Sequence, residues 1–313
     1  MKLNKPKFWD KKNNLISFLF LPLTLIVLLF IFLKRKLIKA KEFNIPIICV
    51  GNIYIGGTGK TPTSIFLANE LFKLGKKPVI LRKYYKSHID EHELIKANYE
   101  SLILSNNRVS GILEAEKKNY DCVILDDGFQ DYQIKKNLSI LCFNQNQLIG
   151  NGLVLPSGPL REDLSSLKNA NLVLINGEKN INFEKKILKI NNKLEIFYSN
   201  YKPTNISQFK NKKLLAVVGI SNPENFFQLM SKNGLQVEKK LIFPDHYEFT
   251  TKEIQKIVDE AKIKDYQIVT TEKDFFKFRN FKKQKIEYLK LALEIVDKEK
   301  FIKTIYKLYD KKN

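Results

Sequence analysis

The chain has 313 residues, enough for two modest domains, and 44% of them are hydrophobic, which suffices for buried cores. Its formal net charge of +21 indicates an anionic partner, such as nucleic acid, an acidic lipid surface or a phosphorylated substrate. That charge is almost all lysine, so it supports nucleic-acid binding only weakly. The three cysteines lie in apolar runs without a CxxC pair, which argues against disulfides and a zinc site.

The first predicted element is an apolar segment, Leu15–Leu33, which would extend about 28 Å as a helix, close to the thickness of a bilayer core. One alternative is a signal peptide, but this run is longer and precedes KRKLIKAK without a small-residue cleavage site. The other is a buried core helix, but only Ser17 and Thr24 interrupt the apolar surface of the segment. We therefore predict a membrane anchor helix with basic flanks over residues 1–42. Lysines on both sides and a central Pro22 leave its orientation and depth open.

Short apolar runs and helical stretches alternate from Ile45 onward, which is the βαβ pattern of a mostly parallel sheet. A Gly/Pro-rich passage, LIGNGLVLPSGPLRED, interrupts the alternation at residues 148–163. We therefore predict two α/β/α domains behind the anchor. Residues 43–150 would form a P-loop NTPase-type domain, and residues 151–313 a second α/β domain closing over the active-site cleft.

The strongest motif is VGNIYIGGTGKTP, Val50–Pro62, which has the sequence of a strand, a glycine loop and a helix start. Backbone N–H groups of such a loop wrap a nucleotide phosphate, its lysine reaches the β/γ oxygens and its threonine ligates Mg²⁺. The predicted nucleotide-binding residues are Gly56, Gly57, Thr58, Gly59, Lys60 and Thr61. Tyr54 departs from the glycine of the general pattern, and the alternative is an ordinary glycine-rich turn.

Two acidic residues follow the apolar strand in YDCVILDDGFQ, and a carboxylate at that place can bind Mg²⁺. The predicted metal ligands are Asp126 and Asp127 together with Thr61. The alternative is a solvated strand end, since paired acids before glycine often form turns. Gln130 is a weaker candidate for orienting a polar group.

Three further polar residues are candidates for contact with substrate. His246, beside Asp245 in FPDHYEFT, could accept a proton from a hydroxyl, although a lone histidine is more often structural. Asp90 and its neighbour Glu91 could equally be helix N-terminal charges favoured by the macrodipole. Arg161, in LPSGPLRED, could clamp a phosphate or form a surface salt bridge.

Taken in order, these stretches together with VVGISNPENFF and VTTEKD resemble the tetraacyldisaccharide 4′-kinases, the lipid A 4′-kinases of Gram-negative bacteria. The resemblance covers about residues 15–275, and Tyr54 is typical of that family. It implies transfer of the ATP γ-phosphoryl group to the 4′-hydroxyl of a tetraacyldisaccharide 1-phosphate, a lipid A disaccharide precursor, giving lipid IV-A. It also implies a monotopic enzyme on the cytoplasmic face of the inner membrane, in contact with its anionic surface. Neither nucleic acid nor an obligate protein partner is expected.

The resemblance also implies roles for individual residues. By their motifs, Asp90 and His246 correspond to the catalytic pair of the family. Together with the candidates from the residues themselves, this leads us to expect that the substrate is held by Arg161, Arg82, Tyr84, Arg108 and Gln130. The chain departs from the family in LRKYYKSHIDE, where Lys83 and Tyr85 stand at expected glycines, so this loop is expected to run differently.

Two other classes of protein remain as alternatives. A membrane-attached P-loop switch or partitioning ATPase would share the phosphate loop, but such proteins carry a signature lysine where this chain has Ile55. A non-catalytic lipid- or RNA-binding protein would use the positive charge, but aromatic-rich nucleic-acid motifs are missing.

Overall fold

The computed structural model describes residues 6–281 and 286–310. The chain folds into two compact units. Within the described residues, the larger unit contains residues 6–84, 99–200 and 293–310, and the smaller unit contains residues 85–98, 201–281 and 286–292.

The larger unit is built on an eight-stranded sheet with the strand order β12-β7-β6-β5-β1-β4-β2-β3. Its strands are β1 (Ile47–Gly51), β2 (Pro78–Lys83), β3 (Leu102–Ser105), β4 (Cys122–Asp126), β5 (Leu138–Asn144), β6 (Leu172–Asn176), β7 (Glu195–Pro203) and β12 (Leu291–Ile295). Strands β1 to β7 pair in parallel. Every residue of β1, β4 and β5 is buried, which explains the unbroken apolar runs in the sequence.

The helices of this unit are α1 (Leu15–Leu19), α2 (Leu21–Leu37), α3 (Lys60–Lys73), α5 (Arg108–Lys117), α6 (Ile181–Leu188) and α10 (Lys298–Asp310). Helix α3 packs on β1, β2 and β4. It ends as the sequence predicts, because Gly75 adopts a positive φ of 77° that favours glycine.

The smaller unit is built on a four-stranded parallel sheet with the strand order β11-β10-β8-β9. Its strands are β8 (Leu214–Val218), β9 (Val237–Ile242), β10 (Gln267–Thr271) and β11 (Ile286–Leu289), and its helices are α4 (Ile89–Asn98), α7 (Pro223–Lys232), α8 (Thr251–Ile263) and α9 (Glu272–Phe275). The predicted capping box is present at the start of α8, where Thr250 and Glu253 bond each other's backbone N–H groups.

The predicted α/β class with mostly parallel sheets is therefore confirmed, but the predicted boundary near residues 148–163 does not separate the two units. Strands β5 and β6, on either side of that passage, are neighbours in one sheet. Residues 85–98, predicted for the first domain, belong instead to the smaller unit. Glycine and proline mark irregular backbone, and they do not indicate which sheet the next strand joins.

The prediction of one long N-terminal membrane helix is wrong. The apolar segment forms two helices that meet at Phe20 and Leu21, with Pro22 in the first turn of α2. Helix α2 has 17 residues, and among the described residues no helix is both long and apolar enough to cross a membrane. Proline is compatible with a helix start but not with a helix interior, which accounts for the break.

Helix α2 has two different apolar faces. Val27, Leu28 and Ile31 pack against the core of the larger unit, whereas Phe30 is 72% exposed. The inner face also holds Thr24, whose hydroxyl lies 2.8 Å from the hydroxyl of Ser157. Other exposed apolar side chains of α1 and α2 are Leu15, Ile16, Phe18, Leu19, Leu23, Leu25, Ile26, Leu29, Phe32, Leu33 and Leu37.

Candidate active site

The glycine loop joins the carboxyl end of β1 to the start of α3. Gly56 and Gly59 have φ values of 111° and 89°, which L-residues with a side chain rarely adopt. The side-chain amide of Asn52 donates to the Thr58 hydroxyl at 2.9 Å and to the Gly56 carbonyl at 3.3 Å. These two hydrogen bonds stabilise the conformation of the loop. Lys60 begins the helix, and the loop and helix terminus form a backbone N–H site suited to an anionic group.

Tyr54, the residue that departs from the general pattern, is a core residue. Its side chain is fully buried, and it forms an isolated antiparallel bridge with Leu160. On either side of it, Ile55 N–H donates to the Pro159 carbonyl at 2.9 Å and Arg161 N–H donates to the Ile53 carbonyl at 2.7 Å. The bridge thus ties the phosphate loop to the Gly/Pro-rich passage and places Arg161 beside it.

Asp126 ends β4 and lies beside the glycine loop because β4 and β1 are parallel neighbours. Its carboxylate is fully buried and accepts hydrogen bonds from the hydroxyl groups of Thr61 at 3.1 Å and Ser64 at 3.0 Å. The guanidinium of Arg82 forms a close ion pair with the same carboxylate and lies 3.2 Å from Thr61 Oγ1. Arg82, expected to contact substrate, is therefore bound to the predicted metal ligands.

Asp127, the next residue, adopts a φ of 56° and faces two cations. Its Oδ1 accepts from Arg161 Nη1 at 2.9 Å and lies 3.7 Å from Lys60 Nζ. Burial opposes ionisation of this carboxyl, but Lys60, Arg161 and Arg82 outweigh it and hold the pKa of Asp127 well below its usual value. Burial also lowers the pKa of Lys60. Asp127 thus places an ionised carboxylate beside the loop.

The remaining predicted substrate residues have other contacts. Arg108 donates to the Asp127 carbonyl at 2.7 Å, and the Gln130 side chain donates to the Asn52 carbonyl at 2.9 Å. Both residues therefore brace the turn that follows β4. Tyr84 lies one residue beyond β2 with its side chain 43% exposed.

A second polar cluster lies within the smaller unit and contains the predicted catalytic pair. Asp90 occupies the first turn of α4, and His246 lies in the loop after β9 with a φ of 56°. Nδ1 of His246 is 3.0 and 3.1 Å from the two carboxylate oxygens of Asp90. Burial raises the pKa of Asp90, but contacts with His246 and Lys273 outweigh it and bring the pKa to about 2.

The sequence interpretation missed the two lysines of this cluster. Lys273 Nζ lies 2.9 Å from Asp245, 3.1 Å from Glu91 and 3.3 Å from Nε2 of His246. Lys277 Nζ lies 3.4 Å from Asp90. Lys273 lies within the stretch VTTEKD and Lys277 just beyond it, and that stretch contributed to the resemblance without any chemistry being assigned to it. In a chain of net charge +21, two more lysines gave no sequence signal that could have identified them.

One group of potential metal ligands also occurs in this cluster. Ligand atoms of His88, Glu91 and His246 lie within 4.8 Å of one another. However, the ammonium group of Lys273 contacts both Glu91 and His246 there. The ammonium group therefore already lies at the position between Glu91 and Nε2 of His246 that a metal ion would need.

Comparisons with known proteins give matches along nearly the whole chain. A family model described as tetraacyldisaccharide-1-P 4′-kinase, LpxK, matches residues 16–310. A tetraacyldisaccharide 4′-kinase of Pelagibacter ubique is 40% identical over 316 residues, covering 99% of this chain and 100% of the relative. The enzyme of the same name from Aliarcobacter butzleri is 36% identical, covering 93% and 90%. The crystal structure of LpxK from Aquifex aeolicus in complex with ATP shares the fold, with a TM-score of 0.72 at 23% identity, covering 94% of this chain and 99% of that one.

Proposed function

The chain belongs to the tetraacyldisaccharide-1-P 4′-kinase family, and we propose that it transfers the γ-phosphoryl group of ATP to the 4′-hydroxyl of a tetraacyldisaccharide 1-phosphate, giving lipid IV-A. Family membership makes it a kinase that acts on a hydroxyl group, and a P-loop switch is not favoured. The observation that carries the proposal is the match over residues 16–310 of a chain with an intact phosphate loop.

The glycine loop binds the ATP phosphates in this proposal. Gly56, Gly57, Thr58 and Gly59 present backbone N–H groups, and Lys60 contacts the β/γ oxygens. The positive φ values at Gly56 and Gly59 support this assignment, since they allow the backbone to approach a phosphate without a Cβ. Arg161 supplies a second cation for the transferring group, because it already shares Asp127 with Lys60.

Mg²⁺ fits the oxygen donors at the carboxyl end of β4. Thr61, Asp126 and Asp127 offer a hydroxyl and two carboxylates, the hard ligands that this ion prefers, and Asp127 is held ionised. When bound, Mg²⁺ neutralises charge on the β- and γ-phosphates. Arg82 forms an ion pair with Asp126, so its guanidinium neutralises the charge of this carboxylate while no Mg²⁺ is bound.

The pair of His246 and Asp90 acts on the acceptor hydroxyl. Nδ1–H of His246 donates to Asp90, which leaves Nε2 to accept the proton of the 4′-hydroxyl. The hydroxyl oxygen then bonds to the γ-phosphorus while the bond from that phosphorus to the bridging oxygen of ADP breaks. Asp90, ionised at neutral pH, stabilises the imidazolium that results.

We also propose a monotopic enzyme at the cytoplasmic face of the inner membrane, in contact with its anionic surface and without an obligate protein partner. The outward apolar face of α1 and α2 supports this location, since Leu15, Leu19 and Phe30 are each more than 70% exposed. Lys34 and Lys36 in the last turn of α2 suit anionic headgroups.

The test is transfer of label from ATP to lipid by the purified chain in detergent. We expect label from γ-labelled ATP in a lipid bisphosphate when tetraacyldisaccharide 1-phosphate is supplied. His246→Ala should lower turnover by about 10²–10⁴-fold, the usual contribution of general base catalysis. Lys60→Met should abolish turnover, whereas Lys73→Met, on the exposed face of the same helix, should not.

Hydrolysis of ATP without labelling of the lipid would contradict the proposal and support the switch. Normal turnover of His246→Ala would refute only the role of that residue.

A further inference from the structure

The ammonium group of Lys273 lies at the imidazole nitrogen that is not used by Asp90. Its Nζ is 3.3 Å from Nε2 of His246 and is also bound by Asp245 at 2.9 Å and Glu91 at 3.1 Å. The side chain is only 14% exposed, so its position is defined by these partners. Lys273 is therefore a largely buried member of this polar cluster and differs from the solvent-exposed lysines of the chain.

The hydrogen-bonding capacity of the groups around His246 determines which form of the imidazole they favour. A carboxylate only accepts, so Nδ1, facing both oxygens of Asp90, must carry a proton. An ammonium group only donates, so Nε2 must offer its lone pair. The neutral imidazole protonated at Nδ1 satisfies both partners, and this is the form that a general base requires.

Without Lys273 the same surroundings would favour the imidazolium. Nε2 lies 3.8 Å from Glu91 and 3.8 Å from Asp245, and Nδ1 contacts Asp90. Nearby carboxylates stabilise a protonated imidazole, whereas a nearby cation opposes it. Asp245 is also ionised, since Lys273, together with a hydrogen bond from Ser221, outweighs its burial and lowers its pKa. Of the other groups of the cluster, His88 stacks on His246 at 4.2 Å between ring centroids, and Lys277 lies against Asp90.

We propose that Lys273 is a positioning residue that keeps His246 neutral, with Nε2 unprotonated, by donating to Nε2 and by neutralising Asp245 and Glu91. The inference deepens the proposed function, because it rests on His246 acting as the base. When the acceptor hydroxyl reaches Nε2 it displaces the ammonium group, which Asp245 and Glu91 retain nearby. A protonated Nε2 cannot accept the hydroxyl proton, so without Lys273 a smaller fraction of the enzyme would hold the base in its active form at neutral pH.

The test is an NMR titration of the full chain labelled with ¹⁵N-histidine, without nucleotide or lipid. Only three histidines are present, and His246→Asn identifies the signal of interest. We expect Lys273→Met to raise the proton affinity of His246 about tenfold or more, since it removes an adjacent cation. Lys273→Arg, which still only donates, should stay close to the wild type. Lys277→Met should have a smaller effect, because its ammonium group contacts Asp90 at 3.4 Å and bonds Asp274 at 2.6 Å.

The activity of the same variants completes the test. In Lys273→Met the acid limb of the pH profile of kcat/KM should move to higher pH along with the NMR titration. If the methionine variant does not fold, Lys273→Gln serves in its place, since it also lacks the charge. An unchanged titration in a folded Lys273→Met or Lys273→Gln variant would overturn the inference. Because the titration needs no reaction, it is distinguishable from a failure of the proposed function, which would show as an inactive wild type.

Discussion

Replacing Arg35 by methionine should destabilise the larger unit, because it leaves a buried carboxylate without its ion-pair partner. Glu162 is 1% exposed and is bound by the Arg35 guanidinium and by the Tyr132 hydroxyl at 2.5 Å. Breaking a buried ion pair from one side costs about 3–5 kcal/mol. The Arg35 side chain is 23% exposed, so solvent screens part of the interaction and we expect a smaller loss, about 2–3 kcal/mol.

Urea unfolding followed by tryptophan fluorescence measures this cost locally. The single tryptophan, Trp9, belongs to the larger unit, and its indole N–H donates to the Pro156 carbonyl at 3.0 Å, in the same Gly/Pro-rich passage as Glu162. With a urea slope of roughly 2–3 kcal/mol/M, the midpoint of Arg35→Met should fall by about 1 M. Lys36→Met, an exposed neighbour on α2, should leave the midpoint within the error.

A double-mutant cycle tests whether the loss comes from the ion pair. Glu162→Gln removes the buried charge, so adding it to Arg35→Met should cost less than the two single changes summed. Additive losses, or a loss in Arg35→Met no larger than that in Lys36→Met, would refute a stabilising buried ion pair.

Three further predictions concern the two polar clusters and the loop between β5 and β6. At a hundredfold excess over Kd, Mg·ATP should stabilise the wild type by about 2.7 kcal/mol, which differential scanning fluorimetry detects as a higher melting temperature. Lys60→Met should abolish this increase in melting temperature. Contacts with His246 hold the pKa of Asp90 at about 2 despite its burial, so this stabilisation is present above about pH 4 and is lost as the pH falls towards 2. The difference in unfolding free energy between wild type and Asp90→Asn should therefore shrink as the pH is lowered from about 5 to 3, and a constant difference would contradict the direction of the pKa shift. Gly158→Ala should lower the free energy of unfolding by about 1–3 kcal/mol and impair turnover. The added Cβ would overlap the carbonyl oxygen of Leu153, a backbone atom that cannot rotate away. An unchanged urea midpoint in this variant would show that the turn adapts to the extra carbon.

The sequence by itself predicted those features that are determined by a few consecutive residues. The glycines, lysine and threonine of residues 56–61 lie within one strand-to-helix turn, so their spacing alone predicted the geometry of the phosphate loop. The acidic end of β4 was recognisable for the same reason, because an apolar run that stops at two aspartates shows where a buried strand ends. The capping box of α8 likewise requires only four consecutive residues.

The tertiary structure decided every feature that depends on side chains distant in sequence. Composition predicted an apolar N-terminal segment, but only packing shows that Thr24 and Arg35 face the protein and bind the Gly/Pro-rich passage. Asp90 and His246 are 156 residues apart, and their assignment as a pair came from the family resemblance alone.

Lys273 was missed altogether, since a lysine in a chain of net charge +21 carries no local signal. Its role depends on three carboxylates and an imidazole that only folding brings within about 4 Å of one ammonium group. Electrostatic interactions depend on distance in space, whereas the sequence patterns that predict helices and loops depend on residues that are close together in the chain. That difference is the physical reason why the loop was predictable from sequence and the environment of His246 was not.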